Sequence, residues 1–412
     1  MTASALAQHL RPGDHVVVGQ ATGEPAGLVR ELFALAPAMG ELHAFCGYSL
    51  NPAWDAAINE ALRVTTYCGL GTVRRLVERG GARLIPAQLS QLTSWFAAGT
   101  LKCDVVLLQV SPADAEGYHS LGCTVDYVWA AVQRARVVLV EVNSQVPQTR
   151  SSCRLHASRI VVALESEVPL PELPNDTPDD VQLAIGQQVA RLVPDGAIIQ
   201  LGIGSFAAAI ARALRDHRRL KVRSGMAGDW LPALIASGAI DTGDPEACMV
   251  SLAVGTRKLY ESLGAGNAVS FAPLADLVSP AGKAADAPFI AINSAIEVDL
   301  YGQVNAETVG SRYVGAVSGQ PDYFRAARRS PGGLAIIALP ATTGKDGRSR
   351  VVKRLAGTCV TTAQSDIDFI VTEHGAADVR ATTLNERRTL IASLAAPQFR
   401  TALTEGEAHV PA

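Results

Sequence analysis

Glu24 stands in Gly19-Gln20-Ala21-Thr22-Gly23-Glu24-Pro25, between an apolar run and an amphipathic segment. A carboxylate there serves either as the charge in a helix's first turn or as a site acid, and its position favours the helix role. Glu297 and Asp299 alternate in Ile296-Glu297-Val298-Asp299, so on a strand they share one face. Two carboxylates on a strand that reads as central need partners, for which Arg312 and Arg325 are the candidates, and structural pairing outweighs catalysis. Glu373-His374-Gly375 sets an acid beside a base at the end of an apolar run, although a strand-end histidine is more often a satisfied polar residue.

Glycine-rich turns supply a second kind of chemistry. Gln200-Leu201-Gly202-Ile203-Gly204-Ser205-Phe206-Ala207 reads as strand, turn and helix, where backbone N–H groups can approach a phosphate or an oxyanion. A dinucleotide site would want an acid closing the next strand, and Lys221-Val222-Arg223 is followed only by Ser224-Gly225. A plain tight turn is therefore as good a reading. Arg223 to Asp229 reads as a plain loop, and Gly315 to Asp322 as another loop of backbone donors. The spacings of serine hydrolases, zincins, Walker A loops and calcium-binding loops are absent from the sequence.

The elements that must position these residues are legible as short β-branched runs: 15–18, 105–108, 137–140, 160–162, 197–199, 289–292, 334–337 and 369–371. Runs without polar alternation suit strands covered on both faces. Ala/Leu/Arg-rich segments such as Ala130 to Arg136 and Ala207 to Leu214 read as helices between them, so the fold class is α/β with mainly parallel sheets. Ser166 to Asp180 holds four prolines and five acids and reads as a linker between units 1–165 and 181–412. Pro12 to Leu32 aligns without gaps on Pro194 to Leu214, and Asp114-x-x-Gly117-x-x-Ser120 recurs in order as Asp299-x-x-Gly302-x-x-Asn305. Two collinear echoes point to a duplicated α/β unit, whose site belongs where the halves meet, at the carboxyl ends of the strands.

Composition narrows the partners. The 412 residues carry 36 basic and 39 acidic side chains for a net charge of −3, with Lys/Arg runs no longer than pairs, so nucleic acid and anionic membrane surfaces are not expected. The seven cysteines are scattered singly, which is neither a disulfide framework nor a zinc knuckle, and no metal is expected. The N-terminal segment lacks a charged region followed by an apolar one, and no apolar stretch has the length of a membrane span. A cytoplasmic protein with mostly buried cysteines is the expectation.

Several collinear stretches resemble the acetyl-CoA hydrolase/transferase family, and within it the 4-hydroxybutyrate and butyrate CoA-transferases. They are Gly23-Glu24-Pro25, Gln109-Val110-Ser111-Pro112 with Gly117-Tyr118-x-Ser120-Leu121-Gly122, Val140-Glu141-Val142-Asn143, Leu201-Gly202-Ile203-Gly204, Gly255 to Tyr260, Asn293 to Leu300 and Val371-Thr372-Glu373. The resemblance implies two related α/β domains, a homodimer, and acyl-CoA as substrate with no covalently bound cofactor. In that family a glutamate attacks the thioester to form a mixed anhydride, and CoA thiolate then gives a glutamyl-CoA thioester from which an incoming carboxylate takes CoA. The family's glutamate stretch falls on Lys221 to Trp230, with the nucleophile's position at Gly225, which has no side chain. The Asn-containing stretch of the family is replaced by Val278-Ser279-Pro280, and of its paired glycines Gly319 remains while Ser318 replaces the other. Gly202, Gly204, Ser224, Met226, Gly319 and Gln320 correspond to oxyanion or CoA-binding positions.

The resemblance with its lost glutamate implies acyl or CoA transfer, or thioester hydrolysis, without the enzyme-bound CoA thioester. Asp229, Glu24 or Glu297 would position water or another acceptor such as a small carboxylate. Two alternatives stand beside it. One is a non-catalytic acyl-CoA-binding subunit, as a homodimer or in a heteromer with an active homologue; the other is an ordinary CoA-transferase rescued by a neighbouring carboxylate, which attack geometry makes harder.

Overall fold

Apolar, β-branched runs form inner strands because a parallel ladder satisfies their backbone while helices cover both faces. The computed structural model describes residues 6–56, 61–174, 176–265, 268–279, 287–344 and 347–405, so residues 1–5, Asn175 of the linker and Pro280 lie outside the described residues. The first sheet uses β1 (His15–Val18), β2 (Leu42–Phe45), β3 (Leu62–Thr66), β4 (Ala82–Leu84), β5 (Val105–Val110) and β6 (Val137–Asn143), with β8 (Val162–Ser166) at its edge. Its order is β8-β6-β5-β1-β2-β3-β4, every pair parallel. All six residues of β5 are buried, as expected for a strand covered on both faces.

The second sheet has nine strands. They are β7 (Arg150–Ser151), β9 (Ile198–Gln200), β10 (Lys221–Ala227), β11 (Cys248–Ala253), β12 (Val269–Phe271), β13 (Phe289–Asn293), β14 (Leu334–Ala338), β15 (Phe369–Thr372) and β16 (Gly375–Asp378), in the order β16-β15-β14-β13-β9-β10-β11-β12-β7. Pairs are parallel except β15 with β16. The strand β7, from the N-terminal half, therefore completes the edge of the C-terminal sheet. One apolar cluster runs without a break from Val17 and Phe96 of the first half to Ile199 and Val250 of the second.

Six helices matter to the site: α1 (Ala26–Met39), α2 (Leu89–Ala98), α3 (Ser205–Ala213), α4 (Trp230–Ala236), α5 (Arg257–Ala265) and α6 (Gln320–Arg329). Because β9, β10 and β13 are parallel, their carboxyl ends open on one side, where the turn to α3 and the start of α6 also lie.

Several expectations are corrected. Arg223 to Asp229 is not a loop: the chain continues as β10 through Ala227, held in ladder by β11, with Ser224 opposite Val250 and Met226 opposite Leu252. Neighbouring strands impose extended structure on small residues whose own propensity is weak. Residues 160 and 161 precede strand β8 rather than belonging to it, and Val161 is 48% exposed. The helix expected from Ala130 begins at Asp126 and ends at Arg134. Glu297–Asp299 is central only in a three-stranded side sheet, between Val304–Asn305 and Val351–Val352. All seven cysteines are free, five of them buried, with Cys103 and Cys359 half-buried. No described helix is long and apolar enough to cross a membrane.

Candidate functional site

The turn after β9 carries the two glycines of the Gly202-Ile203-Gly204 stretch. Gly204 has φ +89° and caps α3, and a β-carbon at either glycine would meet nothing within 4 Å. Beside this turn lies a cavity of about 170 Å³ lined by Leu201, Gly202, Phe206, Ile292, Asn293 and Ser294. Trp230 Nε1 donates to the Gly202 carbonyl at 2.9 Å, fixing the turn against α4. Asn293 Nδ2 donates to Gln200 Oε1 at 2.8 Å across the strand ends.

Ser224 is buried, with its hydroxyl donating toward the Leu201 carbonyl and the Met226 carbonyl 2.8 Å away. Met226 is half-buried. Gly225 follows Ser224 and faces the opposite side of the sheet, toward α6. The three nearest atoms that a β-carbon at Gly225 would meet all belong to Tyr323 of α6: the hydroxyl oxygen at 3.0 Å, Cε2 at 3.4 Å and Cζ at 3.6 Å. Tyr323 is 2% exposed and stacks on Phe289 of β13. Nothing in the sequence alone signals this contact between a strand and a helix far along the chain.

At the start of α6, Gly319 is the N-cap, and Ser318 before it adopts the left-handed conformation with φ +52°. Gln320 is clamped, its Oε1 accepting from the Thr362 hydroxyl at 2.7 Å and its Nε2 donating to the Ser294 carbonyl at 3.1 Å. The N-terminal half reaches this corner through α2: Leu89 N–H donates to the Ser318 carbonyl at 3.1 Å, and the Ser90 hydroxyl donates to Asp322 at 2.5 Å. Burial raises the Asp322 carboxyl despite the donors from Ser90. Thus Gly202, Gly319 and Gln320 are bridged through Ser294, Asn293 and Gln200 into one corner, with Gly225 against Tyr323 beside it.

The three candidate carboxylates are engaged elsewhere. Asp229 accepts from Thr256 at both its N–H, at 3.1 Å, and its hydroxyl, at 2.8 Å, so it ties the turn after β10 to the start of α5. Glu297 accepts from Asn305 Nδ2 at 3.3 Å in the side sheet. The guanidinium near it is Arg350 rather than Arg312 or Arg325, and burial pushes that guanidinium down against the attraction of Glu297 and Glu373. Arg325 instead faces Asp366 and Gln88. Asp299 holds its own turn, accepting from the N–H groups of Tyr301 and Gln303. His374 lies 3.8 Å from Glu373, whose other oxygen accepts the Ala341 N–H.

Glu24 is buried and fully bonded: Asn51 Nδ2 and Trp54 Nε1 each donate to Oε1 at 2.8 Å, and Ser49 donates to Oε2 at 2.5 Å. Burial nevertheless raises its pKa to about 7, with those donors opposing the rise. It is not the charge in the first turn of α1. That role belongs to Glu141 of β6, which accepts the Leu28 N–H at 2.5 Å and lies so near Gly27 that a β-carbon there would stand 2.5 Å from its Oε1. A lone acid inside the apolar run of β6 was the available sign of such a role. Among the described residues no group of three or more His, Cys, Asp or Glu could hold a metal ion.

Comparison with known proteins agrees along the chain. Profiles of the acetyl-CoA hydrolase/transferase N-terminal and C-terminal domains match residues 1–169 and 255–407. The 4-hydroxybutyrate coenzyme A transferase of Clostridium kluyveri is 36% identical over 338 residues, which is 81% of this chain and 79% of that protein. The crystal structure of RipA from Yersinia pestis superposes with a TM-score of 0.87 at 28% identity, covering 96% of this chain and 94% of that one. That of 4-hydroxybutyrate CoA-transferase from Porphyromonas gingivalis gives 0.79 at 29% identity, covering 97% and 95%. The chain belongs to the acetyl-CoA hydrolase/transferase family.

Proposed function

We propose that this protein processes acyl-CoA thioesters without a glutamyl-CoA intermediate, moving the acyl group or CoA directly between thioester and acceptor, or hydrolysing the thioester. The observation that carries this reading is at residue 225: glycine stands where the resemblance expects the nucleophile, and the atoms nearest its absent side chain belong to a phenol, not a carboxylate. Asp229, the carboxylate nearest in sequence, is committed to Thr256. Relatives named for CoA transfer and for acetyl-CoA hydrolysis both occur, so either acceptor suits the family.

In the direct route an acceptor oxygen, from water or a carboxylate, attacks the thioester carbon. The tetrahedral oxyanion is met by backbone N–H groups at Gly319 and the start of α6, where helix-end donors and dipole favour negative charge. Collapse breaks the C–S bond, and CoA leaves as thiolate; with water, its proton ends on the thiolate and the carboxylic acid is released, whereas with a carboxylate the product is a mixed anhydride free of the protein, whose acceptor-derived carbonyl the thiolate attacks to give the new acyl-CoA and release the original acid as its carboxylate. The two units would be 1–165 and 181–412, joined by 166–180, in a homodimer. The test is turnover of acetyl-, butyryl- and succinyl-CoA with and without carboxylate acceptors, together with mass spectrometry of the protein mixed with acyl-CoA. Turnover without a protein adduct is expected. A hydroxylamine-sensitive glutamyl-CoA adduct overturns the reading in favour of another glutamate, and binding without turnover overturns it in favour of a non-catalytic subunit.

A further inference from the structure

Tyr323 combines three properties. Its hydroxyl is buried and has no hydrogen-bond partner among the described residues. It points at Gly225, and its ring edge is bracketed by two glycines, because a β-carbon at Gly319 would stand 2.9 Å from the same Cε2 atom that a β-carbon at Gly225 would meet at 3.4 Å. Buried hydroxyls in folded proteins are nearly always paired, since an unpaired one forfeits its hydration without recompense. A phenylalanine would fill this space equally well and carry no such penalty. Burial also pushes the phenol's pKa well above its ordinary value, so it stays a neutral donor at every physiological pH.

We propose that the Tyr323 hydroxyl is a ligand-facing donor of this site: it gives its hydrogen bond to the carbonyl oxygen of a bound acyl thioester, which can approach that hydroxyl because residue 225 has no side chain. The proposal rests on the acyl-CoA reading above. In place of a carboxylate that attacks the carbonyl, the chain holds a group that polarises it. The consequence is selectivity: an acyl-CoA engages Tyr323, whereas free CoA, which has no carbonyl at that place, does not.

The experiment titrates the full-length protein calorimetrically with CoA and with the ketone analogue of acetyl-CoA, which keeps the carbonyl but cannot turn over. Tyr323→Phe, which keeps the ring and removes only the hydroxyl, is expected to weaken the ketone analogue about 5- to 10-fold while leaving CoA unchanged. The infrared carbonyl stretch of the bound analogue, labelled with carbon-13, is expected to shift to higher wavenumber in the variant. Equal affinities of wild type and variant for the analogue, or equal losses for analogue and CoA, overturn the role of Tyr323 while leaving the acyl-CoA reading intact. A wild type that binds neither ligand overturns both. Should Tyr323→Phe fail to fold, Gly225→Ala carries the test: its methyl group enters the same space, and it must weaken the analogue relative to CoA or the proposal fails.

Discussion

Gly225 and Tyr323 share one space, with the tyrosine's hydroxyl oxygen 3.0 Å from where the glycine's β-carbon would be. The relationship makes placing a carboxylate at residue 225, where the proposed reading puts the family's nucleophile, a two-residue problem. Gly225→Glu alone is expected to lower stability by about 1–3 kcal/mol, the usual cost of overpacking, and to give no acyl-CoA adduct. Adding Tyr323→Ala opens the space. The double variant is expected to regain part of the lost stability by thermal unfolding, and it alone should yield a hydroxylamine-sensitive adduct. Additive destabilisation in the double variant would mean the two residues do not compete.

Asp229 tests whether a candidate acid is structural. Its carboxylate satisfies the N–H and hydroxyl of Thr256, one residue before α5. Asp229→Ala should cost about 1–2 kcal/mol, as loss of a helix-end acceptor does, and Thr256→Ala should add little to it. Asp229→Asn keeps one acceptor oxygen and is expected to retain turnover within a few-fold of wild type. A collapse of turnover in the stable Asn variant would instead give Asp229 a role in positioning the acceptor.

How much of this was legible in the sequence depends on whether the signal is local. Val105 to Leu108 reads as a doubly covered strand because burial on both faces removes polar alternation, and β5 is such a strand. Arg223 to Ala227 misled because its strand is imposed by β11 rather than by its own small residues. Glu24 misled for a related reason: adjacency to a helix suggested a first-turn charge, whereas its partners Ser49, Asn51 and Trp54 come from beyond β2. The resemblance supplied the family and singled out Gly225 and Gly319. It could not supply Tyr323, whose meaning exists only once α6 lies on β13 and β14 and brings its tyrosine to Gly225.

Ser318 holds the left-handed conformation immediately before the Gly319 cap, with its carbonyl fixed by the Leu89 N–H. A side chain there is strained by contact with its own carbonyl, and glycine relieves that strain while costing some unfolded-chain entropy. Ser318→Gly is therefore expected to raise stability by about 0.5–1 kcal/mol in denaturant melts. A loss would show that the Ser318 side chain makes contacts outweighing the strain.

Glu24 gives the molecule a pH dependence whose sign is fixed by burial. Its folded pKa of about 7 lies above the ordinary 4.5, so between these values the folded chain holds a proton that the unfolded chain has released. The contribution to stability is fully present below pH 4.5 and is lost as pH rises through 7. Glu24→Gln removes the ionisation while keeping the geometry: its amide oxygen still accepts from Asn51 and Trp54, and its amide nitrogen donates to the Ser49 oxygen. Thermal melts of wild type and variant should nearly coincide near pH 4.5 and separate toward pH 8, with the variant more stable by on the order of 3 kcal/mol. Parallel curves over that range would mean that Glu24 is ionised throughout and that Ser49, Asn51 and Trp54 hold it as a settled carboxylate.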